Sequence, residues 1–188
     1  VNTGLTANYD DIQNVTTMDL PFTFKFYGEE YDVVSISANG WITFIETEIA
    51  AQRNWRLPGP LGPDPMIAAF WDNIGLHQAG SVYTYYDTQE HQFIIQWQNA
   101  TNVQGNYEET FQIILYDPEY YLTSTTDGPI KIQYKVFNNV NNRGGNPGGP
   151  QPQYGEWGNY CTIGISDHTG LVGLEYTFNN EYPTAARP

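Results

Sequence analysis

Apolar and polar residues alternate along most of this chain. Leu20, Phe22, Phe24 and Phe26 alternate with Pro21, Thr23, Lys25 and Tyr27. Ile130, Ile132, Tyr134 and Val136 alternate with Lys131, Gln133 and Lys135, and Val172, Leu174, Tyr176 and Phe178 with Gly173, Glu175 and Thr177. A period of two sends successive side chains to opposite sides of an extended backbone, so each segment reads as a strand with one buried and one wet face. Further strands are expected near 32–38, 41–45, 66–72, 80–86, 91–98, 109–116 and 160–166. The apolar run Met66-Ile67-Ala68-Ala69-Phe70-Trp71 suits a buried strand. Asn39-Gly40 reads as a tight hairpin turn, because both residues tolerate positive φ, and Asp127-Gly128 and Thr169-Gly170 mark further turns. Only 46–56 could hold a helical turn or two, ended by Pro58, Pro60, Pro63 and Pro65.

About ten short strands without helical periodicity predict an all-β fold. The expected architecture is two packed antiparallel sheets, a jelly-roll-like β-sandwich that buries Phe22, Phe24, Phe26, Ile36, Phe93, Ile95, Ile132 and Leu174. Residues 1–18 are polar and read as an N-terminal arm ahead of a sandwich domain at 19–188. Residues 141–158 are rich in Gly, Pro and Asn and read as a long surface loop inserted in that domain.

The strand motifs resemble a known family. Leu20-Pro21-Phe22-Thr23-Phe24-Lys25-Phe26-Tyr27-Gly28 is similar to an "FPFYG" opening, and Ser35 to Phe44 (SISANGWITF) to "VSSNGWISF". Met66 to Ile74 (MIAAFWDNI) resembles "IAPFWDDL", and Cys161 to Ile165 with Gly170 to Tyr176 resembles an "ATIGI…TGxxGLQY" ending. In this order the motifs resemble the nidogen-type extracellular domain, a β-sandwich module of large bacterial and archaeal surface and secreted proteins. The resemblance spans roughly residues 20–178 and implies an accessory module with no catalysis of its own. The chain departs from the pattern at Ala69, where Pro is frequent, and at Asn73, where a second acid is common.

Length and charge narrow the function classes. At 188 residues there is room for one domain. Lys plus Arg is 7 and Asp plus Glu is 21, a net charge of -14, and that field repels nucleic acid and anionic membrane surfaces. No apolar stretch is long enough to insert as a membrane-spanning helix. Cys161 is the single cysteine, which removes intrachain disulfides and cysteine zinc clusters. Few lysines, many Asn, Thr, Tyr and Gly, and strong acidity together suggest an extracellular or cell-surface protein.

Each candidate site residue also has a plainer reading. His77, His91 and His168 are widely separated, and no nucleophile elbow or His-x-x-x-His pair exists. Glu46 with Glu48, and Glu108 with Glu109, read as solvated strand-end charges sooner than as paired catalytic acids. Cys161 shares parity with Ile163 and Ile165 and reads as a small buried hydrophobe. No cofactor is expected. If a cation binds, calcium suits the hard oxygens of Asp72 and Asn73, since Asp72 ends a buried strand where sandwich loops gather. Trp41, Trp71 and Trp97 lie in strand motifs and read as core; Trp55 and Trp157 lie in loops and are the candidate platforms for a sugar ring. Asn14-Val15-Thr16 and Asn99-Ala100-Thr101 match the N-glycosylation pattern.

These observations favour a non-catalytic extracellular structural module whose partners are copies of itself, in a filament or layer. The chain has only three lysines, Lys25, Lys131 and Lys135, to guard its sheet edges, and the arm at 1–18 could add as a strand to a neighbour. The alternative is a carbohydrate-binding or adhesive module of a larger secreted protein, with glycans as partners.

Overall fold

A computed structural model describes residues 1–5, 14–76, 79–102, 107–139 and 160–180. Among them there are eleven strands and no helix. They are β1 (Val15–Phe26), β2 (Glu29–Ser37), β3 (Trp41–Thr43), β4 (Met66–Trp71), β5 (Ile74–Gly75), β6 (Ser81–Asp87), β7 (Gln92–Asn102), β8 (Glu108–Tyr116), β9 (Ile130–Val136), β10 (Thr162–Ser166) and β11 (Gly173–Phe178). All the expected strands are present. β5, two residues long, is too short for its periodicity to show.

The strands form two antiparallel sheets. One has the order β1-β2-β3-β4-β10-β11. In the other, β7, β8 and β9 pair in turn, while β5 and β6 lie end to end along the remaining edge of β7. Residues 1–3 run beside β6: Asn2 bridges Tyr83, the Thr3 N–H donates to the Val82 carbonyl at 3.0 Å, and the Thr84 N–H donates to the Val1 carbonyl at 2.8 Å. Val15–Met18 belong to β1 and pair with Val34–Ser37.

Alternation in β1, β7 and β8 builds the core between the sheets. Phe24 and Phe26 from β1, Ile36 from β2, Phe93, Ile95 and Trp97 from β7, and Phe111, Ile113 and Leu115 from β8 are buried there. Phe70 stacks on Phe111 at 5.6 Å, the Trp97 indole N–H donates to the Ser37 carbonyl at 3.0 Å, and the Tyr134 hydroxyl donates to the Ala69 carbonyl at 2.5 Å. These contacts tie one sheet to the other. β4 is buried throughout because it feeds two cores: Ile67, Ala69 and Phe70 face the second sheet, while Met66, Ala68 and Trp71 join Trp41 and Leu57 in a smaller cluster.

Several local expectations need correction. The segment 46–56 is not helical; it runs as an irregular strip in which partly buried Ala51 and Trp55 pack on the smaller cluster. Its proline-rich end, Pro58 to Pro65, prevents helix propagation. Only Gly40 of the Asn39-Gly40 pair has positive φ, at 79°, and the turn is buried. The hairpin with two left-handed central residues is instead Tyr27-Gly28, with φ of 50° and 85°, between β1 and β2. β1 also starts five residues earlier than its clear alternation, with a register shift between Asp19 and Phe24. Pro21 lies in that interval and has no N–H to give to the ladder. Leu174, expected inside, is exposed.

Candidate functional site

β11 ends the six-stranded sheet and is approached through a tightly bonded turn. Asp167 organises that turn: its carboxylate accepts from the Thr169 hydroxyl at 2.7 Å, the Val172 N–H at 3.0 Å and the Leu171 N–H at 3.2 Å. Burial raises the Asp167 carboxyl, but these hydrogen bonds to the charged form outweigh it and hold the group below the usual aspartate range. Behind the turn, Ser166 donates to Asp64 at 2.6 Å. The Asp64 carboxyl is raised, first by burial and also by the Asp167 charge, with the Ser166 hydrogen bond opposing.

The two faces of β11 have different fates. On one face the segment Trp55 to Leu57 packs down. Glu175 pairs with Arg56 at 3.3 Å and accepts from the Leu57 N–H at 3.2 Å, and Trp55 meets Phe178 at 6.0 Å. Leu174 lies on the other face, directly across from Ile165, which packs on the main core. Leu174 therefore points to the inner side of its sheet, yet it is 65% exposed. With Leu171 at 80% and Val172 at 56%, it forms an apolar rim on the last strand and its turn. The alternation of 172–178 does mark a strand, but a register shift against β10 turns Phe178 to the face of Glu175 despite its parity with Leu174, and alternation cannot show that the inner side of the sheet is uncovered at this margin.

Of the other described sequence-selected residues, His168 lies in the turn itself and Trp55 is half-buried on the opposite face of β11, while the rest sit on other elements. Trp157 and His77 fall outside the described residues. Asp72 is buried at the end of β4 and accepts from the Asn73 N–H at 2.8 Å. Glu109 is also buried and accepts from the N–H groups of Asn138 and Asn139 at 2.8 and 3.0 Å. Burial, then the charges of Asp72 and Glu109, push the Cys161 thiol well above its ordinary value. Among the described residues no three His, Cys, Asp or Glu side chains are grouped so that they could hold a metal ion. Glu46, Glu48 and His168 are exposed, and His91 stacks on Tyr120. Asn14 is buried, whereas Asn99 is half-exposed at the edge of a surface hollow on the second sheet.

No curated protein and no solved structure matches the chain. The family described as NIDO related matches residues 1–186, which covers both sheets and the rim, and the chain belongs to that family.

Proposed function

We propose that this chain is a non-catalytic extracellular module that associates with copies of itself at the cell surface, as the subunit of a filament or layer. Family membership supports the extracellular, accessory part of this reading. The observation that carries self-association is the rim of Leu171, Val172 and Leu174 on the end strand of a sheet. Other strand edges carry guards: β1 has Pro21 and Lys25, β9 has Lys131 and Lys135, and β6 is lined by residues 1–3. β11 contains neither Lys nor Pro.

A second β11 running antiparallel would extend the sheet and cover the rim, giving a two-fold dimer. β11 against the Val15–Asp19 stretch of the next copy's β1, which precedes Pro21 and Lys25, repeats without closing and gives a filament.

Sedimentation velocity and negative-stain microscopy test the reading. The chain should associate as its concentration rises, and Leu174→Lys should weaken association at least about tenfold, since it replaces apolar contact with a charge at the interface. Thermal stability should be unchanged, because Leu174 is exposed. A chain that stays monomeric at high concentration, or a Leu174→Lys variant that assembles as well as the parent, refutes it.

A further inference from the structure

The outer face of the five-stranded sheet, away from β11, carries an ordered set of side chains that the core does not use. The strand register aligns them in two rows. Tyr83, Gln96, Gln112 and Gln133 form one row across β6, β7, β8 and β9; Tyr85, Ile94, Ile114 and Lys131 form the next. The glutamines are linked: Gln133 donates to Gln112 at 2.5 Å, Gln112 to Gln96 at 2.5 Å, and Gln96 to Gln98 at 3.0 Å. A primary amide has two donors and two acceptor sites, so each linked amide still has hydrogen-bonding capacity to offer outward. Two adjoining hollows of about 300 and 250 Å³ lie over this track.

At the β6 end, Tyr83 and Tyr85 are 37% and 60% exposed. At the β9 end stand Lys131 and Lys135, two of the three lysines in a chain of net charge -14. Neither lysine has an ion-pair partner among the described residues. Neither row contains a carboxylate; the acids of these strands sit at their ends, as Asp87 and Glu108 do.

We propose that this face binds an acidic polysaccharide whose sugars carry carboxylate groups. Tyrosine rings give flat apolar surfaces for the C–H face of a sugar ring, with a hydroxyl at the tip. The linked amides offer donors and acceptors in a line, matching the hydroxyls along an extended glycan. At about 4.8 Å per strand step, a four-strand row is about 14 Å long, enough for a short run of sugars. The two lysines select the charge: the rows of this face hold no carboxylate, and at physiological salt charges beyond about 10 Å are screened, so Lys131 and Lys135 dominate locally over the chain's distant acids. An apolar protein partner fits less well, because Ile114 is buried and Ile94 only half-exposed, leaving little aliphatic surface on this face.

The test is affinity electrophoresis and titration calorimetry on the full chain, made in a host without N-glycosylation, with polygalacturonate, alginate and neutral cellohexaose as probes. The expected result is binding to at least one polyuronate and weaker binding to cellohexaose. Tyr85→Ala should lower affinity about tenfold, in line with a lost aromatic contact. Lys131→Gln with Lys135→Gln should weaken binding and flatten its salt dependence. Leu174→Lys should leave it intact, which separates this face from the self-association rim. Failure to bind either polyuronate overturns the proposal. So does polyuronate binding that Tyr85→Ala and Gln112→Ala leave unchanged, or a preference for cellohexaose that ignores the lysines. Loss of self-association in Tyr85→Ala or Gln112→Ala would make this face an interface between copies and also overturn it.

Discussion

Among the described glycines, Gly40 is where an added Cβ would come nearest to another residue's backbone, and replacing it with alanine isolates that approach. Gly40 links β2 to β3 with φ of 79°, and its carbonyl accepts from the N–H groups of both Ala69 and Phe70 at 3.0 Å. An added Cβ would lie 2.0 Å from the Phe70 carbonyl oxygen and 2.7 Å from its carbon. Left-handed backbone costs a non-glycine residue about 1–2 kcal/mol. Relieving the clash must move backbone, which strains or breaks the two hydrogen bonds, each worth about 1 kcal/mol net. It must also disturb Trp41 and Phe70, both fully buried in close-packed surroundings. Together these give a loss of about 3–5 kcal/mol, a large share of the roughly 5–15 kcal/mol that stabilises a domain. At about 2–4 °C per kcal/mol for a chain of this size, the melting temperature should fall by about 10 °C. Urea titration followed by tryptophan fluorescence measures the loss. Gly28→Ala is the control, because Gly28 has φ of 85° but nothing within 4 Å of an added Cβ. It should lose only the conformational part, about 1–2 kcal/mol. If Gly40→Ala costs no more than Gly28→Ala, the close approach to Phe70 does not constrain the fold and the reasoning fails.

The hydrogen-bonded turn before β11 should respond to pH. Because the Asp167 carboxyl is depressed in the folded chain, its stabilisation is present above the unfolded value of about 3.9 and is lost as pH falls through the lower folded value. Melting curves should therefore place Asp167→Asn below the parent at pH 7 and bring the two together in strong acid; a gap that persists there counts against the assignment. Cys161 is fully buried with a raised pKa, so a thiol reagent at pH 8 should label it only after denaturant is added, and rapid labelling of the native chain would contradict its burial. In a host that glycosylates asparagine, Asn99 should be modified and the buried Asn14 should not, as site-specific mass spectrometry would read out. Modification at Asn14 would mean that its strand end opens before the fold closes.

Much of the architecture is legible from local pattern alone. Alternation marked the long strands because a side chain's face on an extended backbone depends only on its parity. Acidity, scarce lysine and the order of family-like motifs from Leu20 to Tyr176 pointed to an extracellular sandwich module, since these are properties of the chain and not of its contacts. The candidate site was much less legible. Trp55 looks like an exposed platform because it lies in a loop, but that loop folds onto β10 and β11, where the Thr162 hydroxyl donates to its carbonyl and Phe178 meets its ring. The outer-face glutamines read singly as ordinary solvated strand positions. They become a connected track only because the register sets Gln96, Gln112 and Gln133 side by side on three different strands. Leu174 shows the same limit most directly: its parity is that of a core residue. Parity says which side of a sheet a residue faces, and only the placement of the second sheet decides whether that side is covered.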